Sequence, residues 1–254
     1  MHAGKAMSVV LLCSLAATAP CSSGAAATND DDDVKLAQAI AVLHDFTRDD
    51  EQAIPTELLQ RARGIAVIPN LIRGGFFFGG RRGRGVLTVR TASGEWGTPA
   101  FITLTGGSIG WQFGAEAADV ILVFANDRSV ANIASGKFTF AGDAAVQAGP
   151  VGRRSMGAVT MRSEVYVYAH NRGLFAGAAF EGARLDVSEQ DNARFYAGTG
   201  AQPLGPLATT LPGSAERFLQ ALRAATASYG APATTRSSEP DQSAIIYPLG
   251  QGPE

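Results

Sequence analysis

Residues 61–90, RARGIAVIPNLIRGGFFFGGRRGRGVLTVR, constrain the fold most tightly. They hold seven arginines, no acidic residue, and two apolar runs too short for helices. Ile65–Ile68 and Phe76–Phe78 have strand length, and between them Pro69, Asn70 and the pair Gly74-Gly75 are turn and bend formers. Both runs are expected to be buried, at least in part. Gly79, Gly80, Gly83 and Gly85 interrupt Arg81, Arg82 and Arg84. The arginines are therefore expected to project from a tight connection into a further strand, Val86–Arg90. The basic field is local, because the whole chain has a formal net charge of -2.

A chain of 254 residues, 46% hydrophobic and 17% charged, can bury a sizeable core, and one domain with tails is the simplest organisation. Thirty glycines favour short strands and sharp turns over a helix bundle. Residues 1–27 read as an export signal, with Lys5 as the positive start, Met7–Ala19 as the apolar centre and Ala25–Ala27 as the cleavage region. Cys21 raises a second processing outcome, lipidation, although Thr18-Ala19-Pro20 matches the usual lipoprotein pattern poorly. Removing residues 1–27 removes Lys5 and both cysteines, leaving a chain without thiols. No later segment is apolar for long enough to cross a membrane as a helix. The expected location is outside the cytoplasm, in the periplasm or cell envelope, tethered to the outer membrane if Cys21 is lipidated.

Residues 28–33 are expected to be a solvated acidic leader, whose last members also suit a helix N-terminus. Residues 34–229 are expected to form the single domain. In Val34–Phe46, the residues Leu36, Ile40, Leu43 and Phe46 recur at helical spacing, and this face either packs on the domain or lies on a bilayer. A short helix over Thr56–Arg63 follows Pro55. Strands are expected within Glu95–Leu104 and at Asp119–Phe124, Lys137–Phe140 and Glu164–Ala169, the last pairing with Leu174–Phe180 as a hairpin; the sheet continues through Gly182–Val187. Asn126-Asp127 should cap a helix running to Ser135, Ser188 another reaching Tyr196, and Leu211–Tyr229 a terminal helix. Residues 230–254 show no sustained pattern and are expected to be disordered.

Little in the sequence points to catalysis. Two histidines, His44 and His170, remain after the leader, and no Gly-x-Ser-x-Gly elbow or zinc-ligand spacing is present. Gly79–Gly85 lacks the Gly-Lys-Ser/Thr ending of a phosphate loop, so no cofactor is expected. The acidic balance, with pI about 5.9, and the absence of a recognition motif argue against nucleic acid. Arginines beside aromatic strands can bind anions through paired hydrogen bonds, while apolar neighbours accept acyl or aromatic surface. Equally, Arg73, Arg81, Arg82 and Arg84 can be solubilising charges or pair with acids elsewhere in the fold. Gly149-Pro150-Val151-Gly152-Arg153-Arg154 is a second basic turn.

A series of short motifs is similar to the SYLF domain family: Ile54-Pro55-x-x-Leu58-Leu59 through Ile65–Pro69, Gly75-Phe76-x-Phe78-Gly79, Gly83-x-Gly85-Val86, Trp96-x-x-Pro99-Ala100-Phe101, Ser108-x-Gly110-x-Gln112-x-Gly114, Gly149-Pro150-x-Gly152-Arg153 and Gly173–Gly177. The resemblance spans Val34 to Gly198. It implies a non-catalytic module that binds lipid or membrane, with some yeast relatives binding and bundling actin. The expected architecture is α+β, a strongly curved and mainly antiparallel sheet approaching a barrel, covered by amphipathic helices. The expected function is binding of anionic phospholipid or membrane through an arginine rim of Arg73, Arg81, Arg82, Arg84, Arg153 and Arg154. The alternative is an envelope scaffold that binds a protein partner.

Overall fold

A computed structural model of the chain describes residues 29–48, 53–76, 78–109, 114–134, 138–140, 146–149, 163–170, 180 and 182–227. The described elements run in the order α1 (Asn29–Arg48), α2 (Thr56–Arg61), β1 (Gly64–Phe76), β2 (Phe78–Val89), β3 (Ala100–Ile109), β4 (Gly114–Phe124), α3 (Asp127–Ala134), β5 (Phe138–Thr139), β6 (Val146–Ala148), β7 (Val165–His170), β8 (Arg184–Val187), α4 (Glu189–Phe195) and α5 (Gly213–Thr226). The strands join in one sheet of order β5-β8-β3-β2-β1-β4-β7-β6, antiparallel except for β6 on β7. The class is the one the sequence implies: α+β, with a mainly antiparallel sheet curled into half a barrel.

Alternation along the strands gives the sheet two cores. Ile65, Val67, Val86, Phe101, Ile121 and Val123 face outward, beneath α1, α2, α4 and α5. Ala66, Ile68, Leu87, Ile102 and Leu122 face inward, with Phe138, Phe140 and Phe180. Both ends of the strand order reach the inner core, Phe138 of β5 within it and Val146 of β6 packed against it. The short helix α3 touches both β4 and β8, which have three strands between them. Such contacts require a curled sheet. Edge-to-face rings, with Phe138 and Phe140 at 4.9 Å and Phe124 and Phe138 at 5.8 Å, fill its interior.

The predicted helices are present with shifted ends. α1 starts at Asn29 rather than Val34, with Asp30, Asp31 and Asp32 in a first turn where the helix dipole favours them. The last acids of the expected leader thus open the helix, and of them Asp32 is not solvated but fully buried, while Asp30, Asp31 and Asp33 are exposed. Leu36, Ala39, Leu43 and Phe46 form the buried stripe of α1, which packs on α5 and on β1 and β2, so the domain covers this face rather than leaving it for a bilayer. α2 stops at Arg61, short of Arg63. α5 buries Ala215, Phe218, Leu219 and Leu222 as its spacing predicts. Asn126 caps α3 by accepting from the Ser129 N–H at 2.9 Å.

Two expectations at the centre are corrected. Pro69 and Asn70 do not separate two strands. They form a bulge inside one continuous β1, where the pairing registers with both β2 and β4 shift. Proline loses no ladder bond at a bulge, Asn70 takes the left-handed φ of 52°, and its N–H donates to Asp119 Oδ1 at 2.9 Å. Similarly, Gly79–Gly85 is not a connection but part of β2. A Cβ on Gly83 would stand 2.8 Å from Ile68 Cγ2 and Leu71 Cδ1, and one on Gly85 would strike the Val67 carbonyl. Glycine is needed there so that β2 can lie close to the bulge. β8 pairs with β3, and the expected hairpin partner Leu174–Phe180 lies outside the described residues except for Phe180.

Gly85→Ala is expected to cost about 1–3 kcal/mol by forcing β2 away from the bulge. Gly107→Ala, whose added Cβ meets nothing within 4 Å, should change stability by less than about 1 kcal/mol. Urea denaturation of both variants checks this. Equal midpoints would show that the close approach at Gly85 does not govern the sheet.

Candidate functional site

The seven arginines of residues 61–90 share a sequence stretch but not a surface. Arg61 pairs with Glu57 one turn back on α2, and Arg63 with Asp127 at 3.5 Å. Arg90 donates to the carbonyls of Ala62, Gly94 and Gln60 and lies 4.2 Å from the centroid of the Trp96 ring, closing the C-terminal end of α2. Arg81 is buried on the inner side, donating to the Gly107 carbonyl at 3.1 Å, with its guanidinium 5.7 Å from the Phe180 ring centroid. Of Arg73, the backbone stands opposite Arg81 on β2 and Glu116 on β4. Arg153, Arg154 and Cys21 lie outside the described residues.

Arg84 belongs to an ion cluster. Its Nη2 donates to Asp32 Oδ1 and to Asp191 Oδ2, both at 2.8 Å. Arg194 completes the ring, donating to Asp32 Oδ2 at 2.6 Å and to Asp191 Oδ1 at 2.8 Å. Asp32 from α1, Arg84 from β2, and Asp191 and Arg194 from α4 are thereby joined. Burial pushes the Asp191 carboxyl up, but the Ser188 hydroxyl together with Arg194 and Arg84 outweighs it and holds the group below the usual carboxylate range. Arg84 is thus engaged in the fold: its Nη2 serves two carboxylates, a use that the sequence does not show.

An open cleft of about 640 Å³ lies beside this cluster, lined by Lys35, Pro69, Asn70, Ile72, Arg82 and Arg84 among others. Arg82 is exposed and makes no ion pair among the described residues. Ile72 stands directly opposite it across the β1–β2 ladder and is 57% exposed. Lys35, half-buried on α1, donates to Gln38 at 2.9 Å. Burial lowers its pKa and nearby Arg84 adds to that, while Asp119 opposes. Among the described residues no group of three or more His, Cys, Asp or Glu could hold a metal ion. Four cationic residues thus line the cleft, of which Arg84 is ion-paired and Arg81 buried, so Arg82 and Lys35 stand beside an exposed aliphatic side chain.

The family model of "Ysc84: Las17-binding protein actin regulator" matches residues 105–225. Protein YSC84 of Saccharomyces cerevisiae is 32% identical over 63% of this chain and 36% of its own length. The human SH3 domain-containing YSC84-like protein 1 is 33% identical over 63% of this chain and 48% of its own. LAS seventeen-binding protein 3 of Saccharomyces cerevisiae is 33% identical over 58% of this chain and 33% of its own. The chain is similar to the Ysc84, or SYLF-domain, family over these residues. It spans a third to a half of the length of these relatives. No solved structure matches it.

The sequence reading placed Arg82 and Arg84 in one rim; in the fold Arg82 is exposed and Arg84 is ion-paired to two carboxylates. Lys35 and Ile72 went unnoticed. Nothing in a helix 37 residues upstream of Ile72 announces that it crosses the same strands. Ile72 faces outward only because the bulge shifts its phase: Ile68 and Leu71 both face the inner core although three residues apart.

Arg84→Met is expected to destabilise the domain by about 3 kcal/mol, because Asp32 stays buried with half its partners gone. Arg82→Met should cost less than about 0.5 kcal/mol. Chemical denaturation separates the two, and equal losses would refute this distinction. A second expectation concerns acid. The depressed Asp191 pKa means its contribution is present above the ordinary carboxylate value of about 3.9 and is lost as pH falls through the lower folded value. Stability measured from pH 5 to pH 2 should therefore decline less steeply in Asp191→Asn than in the wild type.

Proposed function

We propose that this SYLF-like domain is a non-catalytic protein-binding module whose cationic cleft receives an acidic partner segment carrying an apolar side chain. The observation that carries this reading is the cross-strand pair of exposed Ile72 and Arg82, with Lys35 in the same cleft. Exposed ion pairs contribute roughly 0.2–1 kcal/mol each, whereas covering an exposed isoleucine contributes up to about 1.5–3 kcal/mol. The apolar contact therefore outweighs the charges. The names of related proteins, one of them a LAS seventeen-binding protein, agree with a protein partner for this kind of domain. We place the chain in the periplasm or cell envelope on the strength of its N-terminal residues.

Anionic phospholipid is the second reading, favoured by the position of Arg73 next to Ile72 on β1. It asks more of the cleft. At about 1 kcal/mol per cation, Arg82 and Lys35 contribute roughly 2 kcal/mol, and the other rim arginines among the described side chains, Arg81 and Arg84, are engaged in the fold.

The experiment uses cross-linking capture from an envelope extract with the wild type, with Lys35→Glu/Arg82→Glu and with Ile72→Ala, alongside co-sedimentation with neutral and anionic liposomes. A protein recovered by the wild type, lost in the double variant and reduced in Ile72→Ala supports the assignment. An unchanged set of captured proteins overturns it. Sedimentation with anionic liposomes alone, abolished by salt and by the double variant, moves the assignment to lipid headgroups.

A further inference from the structure

Among the described residues, Val34, Ile72 and Leu207 are the exposed large apolar side chains. Ile72 lines the cationic cleft together with Lys35, and Val34 directly precedes Lys35 on α1. A single exposed aliphatic residue needs no explanation, but two beside one cleft ask what covers them. Neither covers the other within one molecule, since Val34 is 55% and Ile72 57% exposed.

The first turn of α1 has a matching pattern. Asp30, Asp31 and Val34 are all exposed, and their spacings of three and four put them on one side of the helix. The other two acids turn elsewhere: Asp32 is buried against Arg84 and Arg194, and Asp33 accepts from the Ser214 hydroxyl of α5. The exposed strip therefore carries two carboxylates and one branched aliphatic side chain. Beside it, the cleft carries two accessible cations, Lys35 and Arg82, and one branched aliphatic side chain, Ile72. Each strip holds what the other lacks.

Neighbouring strips of opposite charge are what a two-fold axis converts into an interface. Rotation by half a turn about an axis between them lays the acidic strip of one copy on the cleft of the other, and the same operation makes the reverse contact. Val34 then covers Ile72 twice, and Asp30 and Asp31 meet Arg82 and Lys35 twice. A foreign segment would use each of these groups once. The doubled contact closes at two copies and leaves no strip over.

We propose that the domain forms a two-fold dimer in which the Asp30-Asp31-Val34 side of α1 of each copy occupies the cationic cleft of the other. The inference rests on reading the cleft as a receptor for an acidic segment with an apolar side chain, and it supplies that site's regulation. A second copy is the resident occupant, so a partner protein must displace it, and free clefts become scarcer as the concentration of the chain rises.

Sedimentation equilibrium on the full chain tests this, at about 50 and about 500 mM salt, with the wild type, Asp30→Lys/Asp31→Lys, Lys35→Glu/Arg82→Glu, and Val34→Ser. Urea denaturation checks that each variant is folded. The wild type is expected to be in monomer–dimer equilibrium, weakened at the higher salt. Every reversed pair counts twice, so each charge-reversed variant should dimerise roughly a hundredfold more weakly, and Val34→Ser roughly tenfold more weakly. An equimolar mixture of the two charge-reversed variants should regain the dimer, because both contacts again join acid to base. A wild type that stays monomeric up to about 1 mM, the weak end of measurable association, overturns the proposal. So does a dimer indifferent to all three variants, and so does a mixture of folded variants that stays monomeric. Capture from an envelope extract keeps the two readings apart. Asp30→Lys/Asp31→Lys, whose cleft is intact, should capture a partner protein at least as well as the wild type. Capture without a dimer overturns the dimer alone, whereas a dimer without capture supports the interface and overturns only the foreign partner.

Discussion

A single buried carboxylate sets the position of α1. Asp32 has no exposed surface, and a charge so placed is tolerated only when it is paired and hydrogen-bonded throughout. Its two oxygens take donors from Arg84 on β2 and Arg194 on α4, and those guanidinium groups are bridged in turn by Asp191. Hydrophobic burial along Leu36, Ala39, Leu43 and Phe46 would hold α1 against the sheet with some freedom to slide. The cluster removes that freedom at one end. Ser214 adds a second link, donating to Asp33 Oδ1 from α5. The cationic cleft has α1 as a wall through Lys35, so its shape depends on where these carboxylates sit.

The same cluster limits what the basic stretch can recognise. A guanidinium that donates to two carboxylates keeps little attraction for a further anion, and Arg81 is sequestered in the inner core. What remains accessible among the described side chains is a small cationic surface containing Arg82 and Lys35, joined to an exposed isoleucine. A surface of that kind discriminates by shape and apolar contact more than by charge. Long-range electrostatic attraction of a bilayer requires more cations on one face.

Much of the architecture was legible because it rests on local periodicity. The α1 and α5 stripes, the Asn126 cap, the α+β class and the strand at Asp119–Phe124 all follow from spacing or from a side chain acting on its own backbone. The failures share a different cause. Asp32 looks solvated in sequence because its partners, Arg84 and Arg194, are 52 and 162 residues away. Pro69-Asn70 looks like a turn because the same residue types serve turns and bulges; the choice depends on Asp119, on another strand, satisfying the Asn70 N–H. Gly79–Gly85 looks like a loop because nothing local says that Ile68 and Leu71 will press against it. The basic stretch is legible in the sequence, but which of its arginines finds a carboxylate is not.

The bulge ties these points together. A regular strand with Ile68 facing inward would also turn residue 72 inward, and the strand would present a polar Asn70 to the inner core. One slipped residue reverses this: Leu71 fills the inner core, Asn70 takes a left-handed conformation held by Asp119, and Ile72 comes out opposite Arg82. The cost of exposing an isoleucine, up to about 1.5–3 kcal/mol relative to burial, is offset by an inner core that packs Leu71 in its place, and by the curvature a bulge adds where the sheet must curl. The glycines of β2 complete the arrangement by letting the neighbouring strand approach the bulge closely. A structural device that bends the sheet therefore also produces the exposed apolar and cationic pair, which links the curled fold to the proposed recognition surface through the same few residues.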